Sequence, residues 1–168
     1  FDNLNLELWT RGVDLLPDLG YPTTWEYRAE WDCATMAHNT VTVDQTNGAH
    51  GRGGACRLFA AASGVHAVTV SHDPYPAPLF PEGPAHGVDL YERTTILVDI
   101  APGRFYVVDL FAVRGGREHT QSWHGPMTPV RSPALDWVEQ PTGTLAGPDV
   151  EPFAAFTDRW GRTGTAFA

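Results

Sequence analysis

The sequence has 168 residues, 17 glycines, 14 prolines and a formal net charge of −9 at pH 7. This length is enough for one buried core, so we expect a single domain over residues 1–168. The negative charge argues against nucleic-acid binding, which depends on a positive field, and no apolar run is long enough to cross a bilayer. We therefore expect neither nucleic acid nor a membrane among the partners.

The first half of the chain contains four predicted strands. Leu4, Leu6 and Leu8 alternate with polar residues over positions 3–10, a pattern typical of a half-buried strand. Residues 11–14 predict a turn, and residues 23–34 predict a loop with extended pieces. The other strands of this half are predicted at residues 39–44, 55–62 and 65–71.

The second half carries the strongest hairpin signal. Two long apolar runs, residues 90–100 and 104–113, are joined by Ala101-Pro102-Gly103. The preceding stretch, residues 72–87, contains five prolines and two glycines and predicts a loop. Shorter strands are predicted at 119–124, around 135–138 and once or twice within 154–168. Many short strands separated by turns, with no convincing helix, predict an all-β, antiparallel β-sandwich or barrel.

Asp18 and His38 are the candidate site residues. Asp18 follows the apolar step Leu15-Leu16-Pro17, and His38 precedes Asn39-Thr40. An imidazole and a carboxylate are the groups from which a zinc site or a proton-transfer site is built. The alternative is structural, with Asp18 capping a turn and His38 fixing the end of a strand. Because 20 residues separate the two, a shared site would be assembled across strands.

The remaining polar candidates favour structural roles. Asp109 lies in a strongly apolar strand and needs a partner, and Arg93 on the preceding hairpin strand is the natural one. His119 and His124 are five positions apart, on opposite faces of a regular strand, so we expect each to orient a loop rather than share a metal. Cys33 and Cys56 are too few for a disulfide framework; they could pair with each other or remain buried thiols.

Several segments occur in a consistent order between residues 2 and 126. They include Leu15-Leu16-Pro17-Asp18-Leu19-Gly20-Tyr21, Ala37-His38-Asn39-Thr40-Val41, Tyr91-Glu92-Arg93-Thr94, Tyr106-Val107-Val108-Asp109-Leu110-Phe111, and Arg114-Gly115-Gly116 with His119 and His124-Gly125-Pro126. Together they resemble the C-terminal β-sandwich of the heparinase II/III-like polysaccharide lyases. The tail beyond residue 127 adds little to the resemblance.

The resemblance implies an antiparallel, supersandwich-like β-sandwich that is a fragment of a larger protein with an N-terminal α-helical toroid. Such proteins cleave uronate-containing polysaccharides by β-elimination in a cleft between the two domains. Several hold zinc, and the matching positions here make Asp18 and His38 the expected metal ligands. The other ligand and a catalytic histidine would precede residue 1. Tyr27 is the expected substrate contact.

We therefore expect the β-sandwich domain of a lyase that acts on an acidic polysaccharide. The isolated chain is expected to be inactive, to need the N-terminal helical domain of the same protein, and to be secreted or periplasmic in a bacterium. One alternative is a non-catalytic carbohydrate-binding or structural β-sandwich module. A third hypothesis, a freestanding metal enzyme, would require His38 to share a metal with His66 or His124.

Overall fold

A computed structural model describes residues 2–18, 34–45, 48, 54–72, 87–125, 134, 136, 155–157 and 163–165. Within these ranges the fold is all-β with antiparallel sheets, as predicted, and includes one turn of 3-10 helix at Thr35–Ala37. None of the helical structure in the described part of the chain is long and apolar enough to cross a membrane. Residues 23–33 of the predicted loop, which include Tyr27 and Cys33, lie outside the described residues, as do most of the strand predicted at 135–138 and most of the loop predicted at 72–87.

The described strands form two hairpins, one isolated pair and one larger sheet. In chain order they are β1 (Leu8–Thr10), β2 (Val13–Leu16), β3 (Val41–Val43), β4 (Ala55–Ala62), β5 (Val65–Ser71), β6 (Leu90–Ala101), β7 (Arg104–Arg114), β8 (His119–Gln121), β9 (Ala155–Thr157) and β10 (Thr163–Thr165). The pairs are β1–β2, β3–β8 and β9–β10. The last pair confirms the strands predicted within 154–168.

The larger sheet has the order β4-β5-β6-β7, so each strand pairs with its neighbour in the chain. The bounds predicted for β4 and β5 are confirmed, and β6 and β7 are each one residue longer than predicted. Pro102 and Gly103 make the turn between β6 and β7, where Ala101 pairs with Arg104. Gly103 has a φ of 67°, which glycine adopts without steric cost. The hairpin signal and the turn-rich segments around these strands therefore located this sheet correctly.

The β3–β8 pair forms the second layer of the sandwich. Its Val41 and Val43 form a buried cluster with Val88 and with Tyr91 of β6, and Phe111 of β7 packs against that cluster. The rings of Tyr91 and Phe111 meet edge to face, with centroids 4.8 Å apart. All three residues of β3 are buried, which places this strand in the core of the described part of the chain.

The strand predicted at residues 3–10 is wrong for its first half, because regular pairing begins only at Leu8. Leu4 has a φ of 57°, and the N–H of Asn5 donates to the carbonyl of Asp2 in a turn. The N–H of Leu6 then donates to the carbonyl of Asn39, 33 positions away in the sequence. Alternating leucines thus coincide here with an irregular segment that long-range hydrogen bonds hold in place.

Two further boundaries differ from the prediction. The turn at 11–14 is reduced to Arg11 and Gly12, with φ of 50° and 78°, and the next residues already belong to β2. The strands predicted at 39–44 and 119–124 are three residues each, β3 and β8. Cys56 is an exposed free thiol, so neither the disulfide with Cys33 nor the buried thiol applies to it.

Candidate functional site

The structure brings Asp18 and His38 into direct contact. His38 Nδ1 lies 2.8 Å from Asp18 Oδ2, and their side chains are 8% and 18% exposed. The side-chain amide of Asn5 donates to the same carboxylate oxygen at 2.7 Å. An ionised carboxylate only accepts hydrogen bonds, so His38 Nδ1 is the donor in this contact.

Asn39 positions both members of this pair. It is fully buried, and its backbone N–H donates to Asn5 Oδ1 at 2.8 Å. Its side-chain amide donates to the carbonyl of Pro17 at 3.1 Å, and its Oδ1 accepts from the N–H of His124. Asn39 therefore fixes Pro17, which precedes Asp18 in the chain, and Asn5, whose amide bonds to the Asp18 carboxylate. Asn39 itself directly follows His38. We refer to Asn5, Asp18, His38 and Asn39 together as the Asn39 crossing.

Arg93 supports the crossing from the sheet. It donates through Nη1 to the carbonyls of Leu4 and Asn39, the former at 2.7 Å. Its Nε and Nη2 donate to the two oxygens of Asp109 at 2.7 and 2.9 Å. The predicted ion pair of Arg93 and Asp109 is thus confirmed, and it has the additional role of holding the irregular N-terminal segment against β6.

The buried hydroxyl groups of Tyr91 and Thr40 lie next to the Asn39 crossing. The hydroxyl of Tyr91 donates to the carbonyl of Val41 and lies 3.0 Å from Thr40 Oγ1. Thr40 Oγ1 also donates to the carbonyl of Asn3 at 2.7 Å. Because these hydroxyls are buried, each needs such partners to offset the loss of water.

An acidic cleft of about 690 Å³ opens beside the crossing. Its lining includes Asp2, Glu7 and Asp18, together with the paired Arg93. Burial raises the pKa of Asp2, but its own backbone hydrogen bond and the charge of the adjacent amino terminus, with a smaller contribution from His38, outweigh that effect and hold the pKa below its ordinary value. Three carboxylates at one cleft favour a cation over an anionic ligand.

To share one zinc ion, Asp18 and His38 would have to give up their present hydrogen bond. Neighbouring ligand atoms of a tetrahedral zinc lie about 3.3 Å apart, so the pair must separate by roughly half an ångström and Nδ1 must release the proton that it donates to Asp18. Nitrogen and carboxylate oxygen are suitable donors. Within the described part of the chain, however, no group of three or more histidine, cysteine, aspartate or glutamate side chains could hold a metal.

The other histidines do not join this pair. His119 Nε2 bonds to the carbonyl of Gly115 at 2.7 Å, and His124 Nε2 bonds to the carbonyl of Met36 at 2.9 Å. The prediction that each orients a loop is confirmed. His66 lies exposed on β5. The sharing of a metal with His66 or His124 therefore has no support among the described residues.

Sequence reasoning missed Asn5 and Asn39, whose amides organise the site. Asn39 could have been identified from its position at the centre of His38-Asn39-Thr40, because the side-chain amide of a buried asparagine often hydrogen-bonds to separate backbone segments. Nothing in the sequence distinguishes Asn5, since it is one of the polar residues that alternate with Leu4, Leu6 and Leu8. The predicted substrate contact, Tyr27, lies outside the described residues.

Comparison with known families gives one match for this chain. The family model described as heparinase II/III-like, C-terminal, matches residues 1–136. That range contains strands β1 to β8 and every member of the Asn39 crossing. Comparisons with curated proteins and with solved structures give no match.

Proposed function

Because this chain belongs to the heparinase II/III-like C-terminal family, we propose that it is the β-sandwich domain of a polysaccharide lyase that cleaves uronate-containing glycans by β-elimination. The observation that carries the proposal is the family match, which spans residues 1–136 of 168. The close contact of Asp18 and His38 supports it, because both come from motifs that carry the resemblance.

The chemistry sets the requirements for such a site. Elimination removes the proton at C5 of the uronate, next to its carboxylate, and the developing negative charge must be neutralised. The acidic cleft does not suit the uronate itself, because Asp2, Glu7 and Asp18 would repel its carboxylate. We therefore assign this cleft to a cation and place the reacting sugar elsewhere.

In this proposal Asp18 and His38 contribute two zinc ligands. Asn5 fixes the orientation of the Asp18 carboxylate, and Asn39 fixes the backbone on both sides of the pair. A bound zinc ion would supply positive charge and hold these segments together. The remaining ligand, the catalytic groups and the rest of the cleft come from an N-terminal helical domain of the same protein. Tyr27 contacts the polysaccharide, and the protein acts outside the bacterial cytoplasm, in the periplasm or as a secreted enzyme.

The activity is tested by following the ultraviolet absorbance of unsaturated uronate with alginate and glycosaminoglycan substrates. We expect activity from the intact protein, none from the isolated 168-residue chain, and roughly a 10- to 100-fold loss in His38→Ala of the intact protein. The matched control is His66→Ala, since His66 is exposed on β5. Full activity in His38→Ala would overturn the role of the site, and a folded but silent intact protein would overturn the lyase function.

The metal is tested separately by elemental analysis of the intact protein. We expect about one zinc per chain in the unmodified protein and in His66→Ala. In Asp18→Asn and His38→Ala the zinc affinity should fall, because each substitution removes one ligand. Retention of zinc by both variants would contradict the assignment, whatever their activity.

One observation favours the second candidate function, a non-catalytic carbohydrate-binding or structural module. The contact between His38 and Asp18 is already complete as a hydrogen bond, with Asn5 as a further donor to the same oxygen. If the pair has only this structural role, His38→Ala lowers the free energy of unfolding, and the intact protein binds acidic glycan without producing unsaturated ends.

A further inference from the structure

The sheet formed by β4 to β7 has two faces with different surroundings. Successive side chains of a strand point to opposite faces. Tyr91 and Arg93 of β6 point to the face that contacts β3 and the N-terminal segment, so the alternate residues of β6 lie on the other face. We call this other face the outer face. Its centre consists of six apolar side chains from β5, β6 and β7: Val65, Ala67, Ile96, Val98, Val108 and Leu110.

The outer face exposes large apolar side chains. Leu58 extends it onto β4, because it pairs with Thr69 of β5. Tyr106 extends it along β7, because it pairs with Val98 of β6. Leu58, Tyr106 and Leu110 are 44%, 49% and 56% exposed. The solvated face of an antiparallel sheet ordinarily carries polar residues, and a contiguous apolar patch of this kind marks an interaction surface.

The charged residues of the outer face lie at its two ends. Glu92 lies at one end and Arg104 at the other, and neither forms an ion pair with a residue that the structure describes. The two other arginines near the Glu92 end are engaged: Arg57 donates to a serine hydroxyl of β5, and Arg114 is paired with Asp89. Glu92 and Arg104 are therefore the charges of this face that are available to a partner.

Glu92 and Arg104 are placed symmetrically about the middle of the β6–β7 hairpin, where Ile96 pairs with Val108. Glu92 lies four residues before Ile96 along β6. Arg104 lies four residues before Val108 along β7. Because the two strands are antiparallel, both charges lie about 14 Å from this pair, in opposite directions. A two-fold axis that crosses the strands at this pair places Glu92 of each copy near Arg104 of the other.

We propose that the outer face is the interface of a homodimer, in which two copies stack face to face. The apolar centre and the opposite charges at the two ends fit the same two-fold axis, which favours a second copy over an unrelated partner. Four strands about 4.8 Å apart and four rows of side chains about 7 Å apart give a footprint of roughly 500 Å² on each copy. The two copies thus bury about 1,000 Å², which is the lower end for a specific interface and fits a reversible dimer.

Sedimentation equilibrium over a range of protein concentrations tests the dimer, with the 168-residue chain and with the intact protein. We expect reversible dimerisation of both. Leu110→Asp should weaken self-association at least tenfold, because it places a carboxylate in the apolar centre of the interface. The matched control is Val13→Asp, since Val13 is an apolar residue that is 48% exposed but lies on β2. Circular dichroism establishes that each variant is folded.

A pair of charge variants tests the orientation of the two copies. Glu92→Arg and Arg104→Glu should each self-associate roughly tenfold more weakly, because each brings like charges together at both ends of the interface. An equimolar mixture of the two variants should regain dimers, since both contacts of the mixed dimer again join opposite charges. Recovery in the mixture is specific to the proposed two-fold arrangement.

Three results would overturn the inference: a chain that stays monomeric at every concentration, self-association that Leu110→Asp leaves unchanged, or a mixture of the charge variants that associates no better than either alone. If another part of the same protein covers the outer face, the intact protein stays monomeric, which also overturns it. The inference does not rest on the proposed lyase function, because sedimentation detects the dimer whether or not the intact protein produces unsaturated uronate.

Discussion

Strands β4 to β7 and the Asn39 crossing are held in place by different interactions. In the sheet, backbone hydrogen bonds join each strand to its neighbour in the chain, and the register runs without interruption from Val65–Val98 to Ser71–Glu92. In the crossing, side chains bind backbone groups and one another between residues 13 to 85 positions apart. Regular pairing tolerates many sequences, whereas the crossing depends on a few individual polar groups.

The test with the largest expected effect compares a buried and an exposed ion pair of the β6–β7 hairpin. Arg93→Ala should lower the free energy of unfolding by about 4 kcal/mol, because it leaves the buried Asp109 without its cation and removes a donor from the carbonyls of Leu4 and Asn39. Arg114→Ala should cost less than about 1 kcal/mol, since that pair is 69% and 65% exposed. Urea unfolding of both variants makes the comparison, and equal losses would contradict the importance of the crossing.

A second test compares two glycines that share a positive φ. Gly115 has a φ of 99°, and a Cβ there would lie 2.1 Å from the carbonyl oxygen of Gly87; Gly12 has a φ of 78° and open space around it. We expect Gly115→Ala to lower the free energy of unfolding by about 3 kcal/mol, since backbone must move, and Gly12→Ala by about 1 kcal/mol from backbone strain alone. Thermal unfolding separates them, and a milder effect at Gly115 would refute the close backbone approach.

The smallest expected effect comes from two tyrosines on the same hairpin. Tyr91→Phe removes a buried hydroxyl that donates to the carbonyl of Val41, so we expect a loss of about 2 kcal/mol in the free energy of unfolding. Tyr106→Phe changes a residue that is 49% exposed and should stay within about 0.5 kcal/mol of the unmodified chain. Chemical unfolding at matched protein concentration provides the measurement; no loss at Tyr91 would show that its hydroxyl is dispensable.

The contrast also explains which predictions succeeded. The bounds of β4 and β5 follow from the glycine-rich segment before β4 and the proline-rich segment after β5, which are local properties of the sequence. The pairing of Arg93 with Asp109 follows from the cost of burying an unpaired charge. Residues 3–7 were misjudged because alternation says nothing about a hydrogen bond to a residue more than 30 positions away.

The candidate site was predictable only in part, for the same reason. Asp18 and His38 could be singled out by their chemistry and by the motifs around them, but their contact depends on amides that no periodic pattern reveals. Asn5 and Asn39 act through single hydrogen bonds between distant segments.

The long reach of Arg93 has a consequence for the order in which the chain folds. Its bond to Leu4 spans 89 positions, and the bond between His124 and Asn39 spans 85, whereas each hairpin of the sheet closes a short loop. Long loops lose more entropy on closure and form more slowly. The sheet should therefore assemble first and serve as the template on which the N-terminal segment is fixed. In pulse-labelled hydrogen exchange, the β5 and β6 amides should gain protection before those of Leu6 and Ser122, which bond to the crossing and its neighbour Thr40.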